Sequence, residues 1–349
     1  MPPMSTPAQQ SRRAVAFWLL GCCFLVFAMV LVGGITRLTH SGLSIVEWQP
    51  IMGAIPPLND AQWNETFAKY QQTPEFQQRN HDMTLAGFKG IFWWEYGHRL
   101  MGRIIALVFL VPFLYFLARR RLDPEVAWKL GGIFLLGTLQ GALGWFMVKS
   151  GLVDEPRVSS LRLAAHLGLA FLIYAGMLWV ALDLLFRERS PASDGMRGRA
   201  GGMVALVWLM VLSGALVAGI RAGYAYNTWP LMNGHLIPDE ILLVEPWYAN
   251  IAYNMATVQF IHRVLALVVA LMALGLWFDV RREPPNPRAR FWSNILLAGA
   301  AVQVMLGIGT LLLRVPVNLA VLHQAGAVMV FSFAIVLRHS LREQRQFRM

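Results

Sequence analysis

Charge is scarce in this chain: Asp, Glu, Lys and Arg make up 14% of its 349 residues, while 56% are hydrophobic. Soluble domains carry about 25% charged residues, so an ordinary water-soluble fold is excluded. Acidic residues are the scarcer sign, 19 against 30 basic. Cysteine is almost missing. The two present, Cys22 and Cys23, are neighbours in an apolar run, where side chains one residue apart on a helix diverge by about 100°, a geometry that disfavours a disulfide and suits packing. No small-residue cleavage site follows the first apolar run and no long Arg/Ser-rich leader precedes it. The first helix is therefore expected to be a retained anchor in a bacterial inner membrane. No flavin or nicotinamide motif is visible, so electrons for any redox chemistry must come from a partner.

Apolar runs fill the rest. A hydrocarbon core about 30 Å thick needs roughly 20 apolar residues per helix, and eight segments meet that need, at about 14–36, 95–118, 130–149, 161–184, 202–222, 255–279, 291–313 and 319–337. The expected fold is an all-α polytopic membrane protein. Basic residues collect at Arg12 and Arg13, Arg119 to Lys129, Arg187 to Arg199, Arg281 to Arg290 and Arg338 to Arg348. With eight helices these clusters fall on one side, which holds 18 of the 30 basic and 8 of the 19 acidic residues. Basic short loops stay in the cytoplasm, so both termini are expected there. The net charge of +11 then reflects topology and calls for no nucleic-acid partner.

The chain also repeats itself. "WEYGHRLMGRIIALV" (94–108) aligns with "VQFIHRVLALVVALM" (258–272), "WQPIMGAIP" (48–56) with "WPLMNGHLIP" (229–238), and "LQGALGWFMVKSGL" (139–152) with "VQVMLGIGTLLLRV" (302–315). Helices one to four thus look duplicated as helices five to eight, which predicts two tandem four-helix bundles related by a pseudo-twofold axis along the membrane normal. The expected division is an N-terminal bundle at 1–186, a cytoplasmic linker at 187–201 and a C-terminal bundle at 202–349.

Four histidines, His98, His166, His262 and His323, fall near the outer ends of even-numbered helices and should share one depth near the periplasmic face. One pair per repeat is the arrangement that axial ligation of two porphyrins requires, because facing helices can present imidazoles to both sides of a planar ring. A hydrogen bond to a neighbouring helix is the competing role for each. Small residues beside them, Gly97, Gly102, Ala164, Ala165, Gly168, Ala325 and Gly326, could admit a macrocycle or serve helix packing. His40, His81 and His235 fall in outer loops and His339 in the cytoplasmic tail, where solvated or loop-packing roles are expected. Trp48, Trp63, Trp93, Trp94, Trp229 and Trp247 read mainly as an interfacial belt.

The run "TLAGFKGIFWWEYGHRLMGR" (84–103), "QFIHR" (259–263), the loops "GGITRLTHSGLSIVEWQPIMGAIPP" and "AGYAYNTWPLMNGHLIP", and the four helix histidines together resemble the haem A synthase family of the proteobacterial and mitochondrial type, over nearly the whole chain. The resemblance implies oxidation of the C8 methyl of haem O to a formyl group by successive hydroxylations, haem A as product for terminal oxidases, and a second bound haem b. It implies His98 and His166 as ligands of one haem and His262 and His323 as ligands of the other. A branch of that family carries cysteine pairs in outer loops; this chain has none there, which puts thiol chemistry in doubt.

The repeat breaks at one telling place, where Glu95 precedes His98 by three residues and Gln259 precedes His262. Residues three apart share a helix face. A carboxylate beside a haem can carry protons and a neutral amide cannot. The haem O site is accordingly expected in the N-terminal half, with Glu95, His98 and His166 catalytic, and haem b in the C-terminal half. An ion pair of Glu95 with Arg99 is the competing role. Arg99 and Arg263, with Arg37, Arg162 and Arg221, could clamp haem propionates or snorkel to the interface. The segment "LNDAQWNETFAKYQQTPEFQQ" should form an interfacial helix over the N-terminal pocket. Expected partners are haem O, an electron-donor protein or quinol, haem O synthase, oxidase assembly factors, membrane lipid and a second copy of the chain. The rival reading is a dihaem b-type cytochrome relaying electrons to or from quinone. A transporter built on parallel repeats would need helices broken at the membrane midplane instead.

Overall fold

A computed structural model describes residues 7–49, 52–152, 156, 158–186, 192–282, 284 and 286–342. Eight of its helices are long and apolar enough to cross a membrane: α1 (Pro7–Leu38), α4 (Leu85–Ala118), α5 (Pro124–Gly151), α6 (Ser160–Leu185), α7 (Asp194–Gly219), α9 (Met255–Arg282), α10 (Pro287–Leu312) and α11 (Val317–Ser340). Short helices α2 (Asp60–Gln71), α3 (Pro74–Arg79) and α8 (Asn250–Tyr253) lie in the two long connections. Among the described residues there is no β-strand beyond one isolated bridge, Met232 to His235. The protein is an all-α polytopic membrane protein.

At the centre, α6 packs on α1 and α7, and α11 touches all three. A continuous apolar core runs through them, from Leu19 and Cys23 through Phe171 and Met203 to Phe331. Between helices, where lipid tails offer no hydrophobic drive, close backbones and polar bonds supply cohesion. A Cβ on Gly219 would stand 2.6 Å from Ser160 Cα. Tyr174 Oη and Ser332 Oγ are 2.8 Å apart, Trp208 donates to the Gly168 carbonyl at 3.0 Å, and Gln324 donates to Val30 at 3.0 Å. Both cysteines are free and buried, as packing residues are expected to be.

Several boundaries differ from those expected. Helix α4 begins at Leu85, ten residues before the apolar criterion places it; at 1.5 Å per residue it is roughly 50 Å long and outruns a bilayer. Its first turns face α2 and α3 instead of lipid: Phe88 and Phe92 form an aromatic cluster with Trp63 and Tyr70, and Thr84 caps the start by accepting from Gly87 N at 3.3 Å. Trp63 is therefore a buried packing residue, not part of an interfacial belt. The expected single interfacial helix is a helical pair, α2 and α3, that caps this end of α4. Helix α7 starts at Asp194 behind a Ser193 cap, which converts the end of the expected linker into helix; residues 187–191 lie outside those described. His339 belongs to the last turn of α11 and is buried, with Nε2 3.0 Å from Asp183 Oδ1 and its ring edge-on to Trp179 at 5.3 Å. It is a helix-packing residue, not a solvated tail residue.

Candidate functional site

The four helix histidines stand on α4, α6, α9 and α11. His98 and His166 are within electrostatic reach of each other, as are His262 and His323. Each ring lies against a glycine of a neighbouring helix. A Cβ on Gly33 would be 3.1 Å from His98 Nε2, one on Gly144 2.9 Å from His166 Cε1, one on Gly214 3.2 Å from His262 Cε1, and one on Gly307 2.9 Å from His323 Cε1. Four cradles of this kind recur on α1, α5, α7 and α10, so any larger residue would displace the imidazole. His166, His262 and His323 sit about two turns inside their helices, whereas His98 is nearly four turns into α4 because that helix starts early.

The donor set fits axial ligation of a porphyrin. Among the described residues no three His, Cys, Asp or Glu side chains gather as a metal cluster; imidazoles in twos suit a metal whose other ligands come from a planar ring. The His262 ring is oriented from outside, as a ligating imidazole requires. Ser213 Oγ lies 2.6 Å from His262 Nδ1, which leaves Nε2 for a metal. Gln140 Nε2 lies 3.2 Å from His166 Nε2 and donates to the His166 carbonyl at 3.0 Å, and Gln303 donates to the His323 carbonyl at 2.8 Å. Gln140 Oε1, Gln303 Oε1, His166 Nδ1 and His323 Nδ1 are buried without a partner. Such orphaned polar atoms are costly in an apolar interior and mark a place prepared for something else.

Beside His98 and His262 the chain builds an arginine clamp. Glu95, 2% exposed, accepts from Ser44 Oγ at 2.7 Å and Ile45 N at 2.8 Å, and from Arg99 Nε at 3.0 Å and a terminal nitrogen at 2.5 Å. Arg99 also donates to the Ile45 and Glu47 carbonyls at 2.8 and 3.2 Å and lies 5.6 Å from the Trp48 ring. Gln259 takes the same place on α9. It accepts from Arg263 at 2.9 Å and donates to the Ala222 carbonyl at 2.8 Å. Arg263 donates to Tyr226 and Thr228, both at 3.0 Å, and lies 5.7 Å from the Trp229 ring. Both arginines thus fasten a Trp-containing loop to the histidine-bearing helix.

Residues 16–335 match the COX15-CtaA family, described as cytochrome oxidase assembly proteins. The chain belongs to that family. It is 56% identical to the heme A synthase of Nitrosospira multiformis over 95% of each chain. It is 51% identical to that of Nitrosomonas eutropha over 93% of each, and 49% identical to that of Rhodospirillum centenum over 95% of this chain and 89% of the relative.

Within this COX15-CtaA chain, the remaining arginines have protein partners. Arg37 donates to the Ala218 carbonyl, Arg221 lies 3.0 Å from His40 Nδ1, and Arg162 lies 4.5 Å from the Phe146 ring. His40, held at φ 54°, is kept below the usual histidine range by burial and then by Arg221, Arg79 and Arg37. Of the small residues expected to clear a macrocycle, Gly97 has open space at its Cβ position, whereas Gly168 meets Trp208 and Leu212 and so serves helix packing. The four cradling glycines, Ser213, Gln140 and Gln303 were not singled out from sequence. Gln140 and Gln303 do align in the repeat, and that match was the available signal.

Proposed function

We propose that this family member is a haem A synthase that oxidises the C8 methyl of haem O to a formyl group by successive hydroxylations. The N-terminal half, 1–186, takes haem O between His98 and His166; the C-terminal half, 202–349, holds haem b between His262 and His323; and 187–201 joins them. The observation that carries this reading is a pair of matching histidine, glycine and arginine arrangements that differ in charge at one buried position, Glu95 against Gln259. Bound haem supplies the iron-centred oxidation chemistry that no side chain here offers. The chain contributes ligation through four imidazoles, orientation through the glycine cradles and Ser213, and a proton acceptor at the Glu95 carboxylate, which Arg99, Ser44 and Ile45 hold in place.

A second asymmetry supports the same division. Helices α9 and α10 pack along each other, whereas α4 and α5 barely touch. Gly97 on α4 and Gly137 and Gly141 on α5 have open space at their Cβ positions, where the aligned residues are Ile261, Ala300 and Val304. An opened bundle suits a substrate that comes and goes, and a closed one suits a resident cofactor. Electrons come from a donor protein or quinol, haem O from its synthase, and the protein lies in the bacterial inner membrane with both haem sites toward the periplasm. Cells expressing the chain with a source of haem O should accumulate haem A on chromatography of extracted pigments. Haem-loaded protein that forms none would leave the electron-relaying dihaem cytochrome as the better reading.

A further inference from the structure

The α2–α3 cap hides a carboxyl with no partner for one of its oxygens. Glu75, in the first turn of α3, is 4% exposed, and its Oε2 is buried without a hydrogen bond. The groups around it come from each neighbouring element. Tyr70 of α2 is fully buried, and its hydroxyl accepts from Asn80 Nδ2 at 2.7 Å. Glu95 of α4 and Arg79 of α3 itself act on Glu75 through their charges, and Arg79 also acts on His40 in the loop after α1. Burial, then the charge of Glu95, pushes the Glu75 carboxyl up to about 7, with Arg79 opposing.

Glu95 is surrounded differently. Four hydrogen bonds from Ser44, Ile45 and Arg99 converge on its two oxygens, the environment of a carboxylate. Two neighbouring carboxyls whose surroundings are this unlike divide the roles of proton holder and proton acceptor. Among the described residues the C-terminal half buries no carboxyl: Asn250 and Asn254, buried just ahead of Gln259 in the chain, are neutral amides bonded to each other at 2.9 Å.

We propose that Glu75 is the second carboxyl of a proton relay joining the aqueous surface above the α2–α3 cap to Glu95, and through it to the haem O pocket. This rests on the haem O reading. In the relay step the Glu75 O–H bond breaks as a water molecule between the two carboxyls takes the proton and passes one of its own to a Glu95 oxygen; the Glu75 carboxylate then recovers a proton from water at the cap surface. No electrons move in this step.

The test uses the full-length purified protein. Glu75→Gln should keep haem b absorbance and haem O binding but lower haem A formation by about ten-fold or more. Wild type is expected to show a rate inflexion near pH 7, where burial and Glu95 place the Glu75 carboxyl; Glu75→Gln should lose it, while Glu75→Asp keeps part of the rate and the inflexion. Glu75→Gln protein with the wild-type rate and inflexion would overturn the proposal. If that variant loses haem b and misfolds, infrared spectra of wild type decide: a protonated-carboxyl band present at about pH 6, gone by about pH 8 and displaced in Glu75→Asp supports the relay, and its absence defeats it. Wild type that makes no haem A would instead sink the haem O reading, which this infrared titration does not measure.

Discussion

At the scale of single residues, the chain contains its own control for Glu95. Gln259 shows that an amide in this position still accepts from the following arginine and keeps the loop fastened. Glu95→Gln should therefore retain haem b and melt near wild type, yet lose about 100-fold or more of haem A formation. A rate within two- to three-fold of wild type, a difference far smaller than the loss of an essential acid–base group causes, would remove Glu95 from the chemistry. The arginines should differ as well. Arg99→Ala strands a buried carboxylate and should cost about 3–5 kcal/mol, whereas Arg263→Ala strands a neutral amide and should cost about 1–3 kcal/mol; thermal denaturation in detergent compares the two. The histidines and the Glu95/Gln259 contrast were legible because they lie in an aligned repeat. Ser44 and Ile45, which reach Glu95 across about fifty residues of chain, were not. Their approach depends on how the loop folds back, and no local pattern encodes that.

At the scale of elements, apolar runs marked eight helices, because a lipid-facing helix must be apolar along its length. Three of the stretches that the apolar runs missed face protein: the start of α4 under the aromatic cap, the start of α7 and the last turn of α11. The glycine cradles were hidden for a related reason, since a glycine on one helix becomes meaningful only when the opposing helix brings a ring to it. They give a selective prediction. A methyl at Gly307 would press on His323 at 2.9 Å, and overpacking of this kind costs about 1–3 kcal/mol. Gly307→Ala should lower haem b content while leaving the N-terminal half intact. Gly144→Ala, with the same 2.9 Å conflict at His166, should weaken haem O binding and spare haem b. Absorbance spectra of the purified variants separate the two outcomes, and equal loss of haem b from both would mean that the cradles do not act half by half.

At the scale of the whole molecule, eight helices that all cross the membrane would place both ends of the chain on one side of it. We propose that this side is the cytoplasm, because 18 of the 30 lysines and arginines lie in the termini and in the connections that would share it. The two long connections, containing the α2–α3 cap and the Trp229 loop, would then face the opposite compartment with the arginine clamps. His98, His166, His262 and His323 all lie in the portions of their helices that begin from that same end. Orientation therefore sets where both proposed haem sites would open and the compartment from which the proposed Glu75 relay would draw its protons. A fluorescent protein that matures only in the cytoplasm, fused after the C-terminus, should glow in bacterial cells. A phosphatase active only in the periplasm, inserted in the exposed turn around Asn233 and Gly234, should be active there. The reverse pattern would place the clamps and the cap in the cytoplasm, and the proton path would then have to begin on that side.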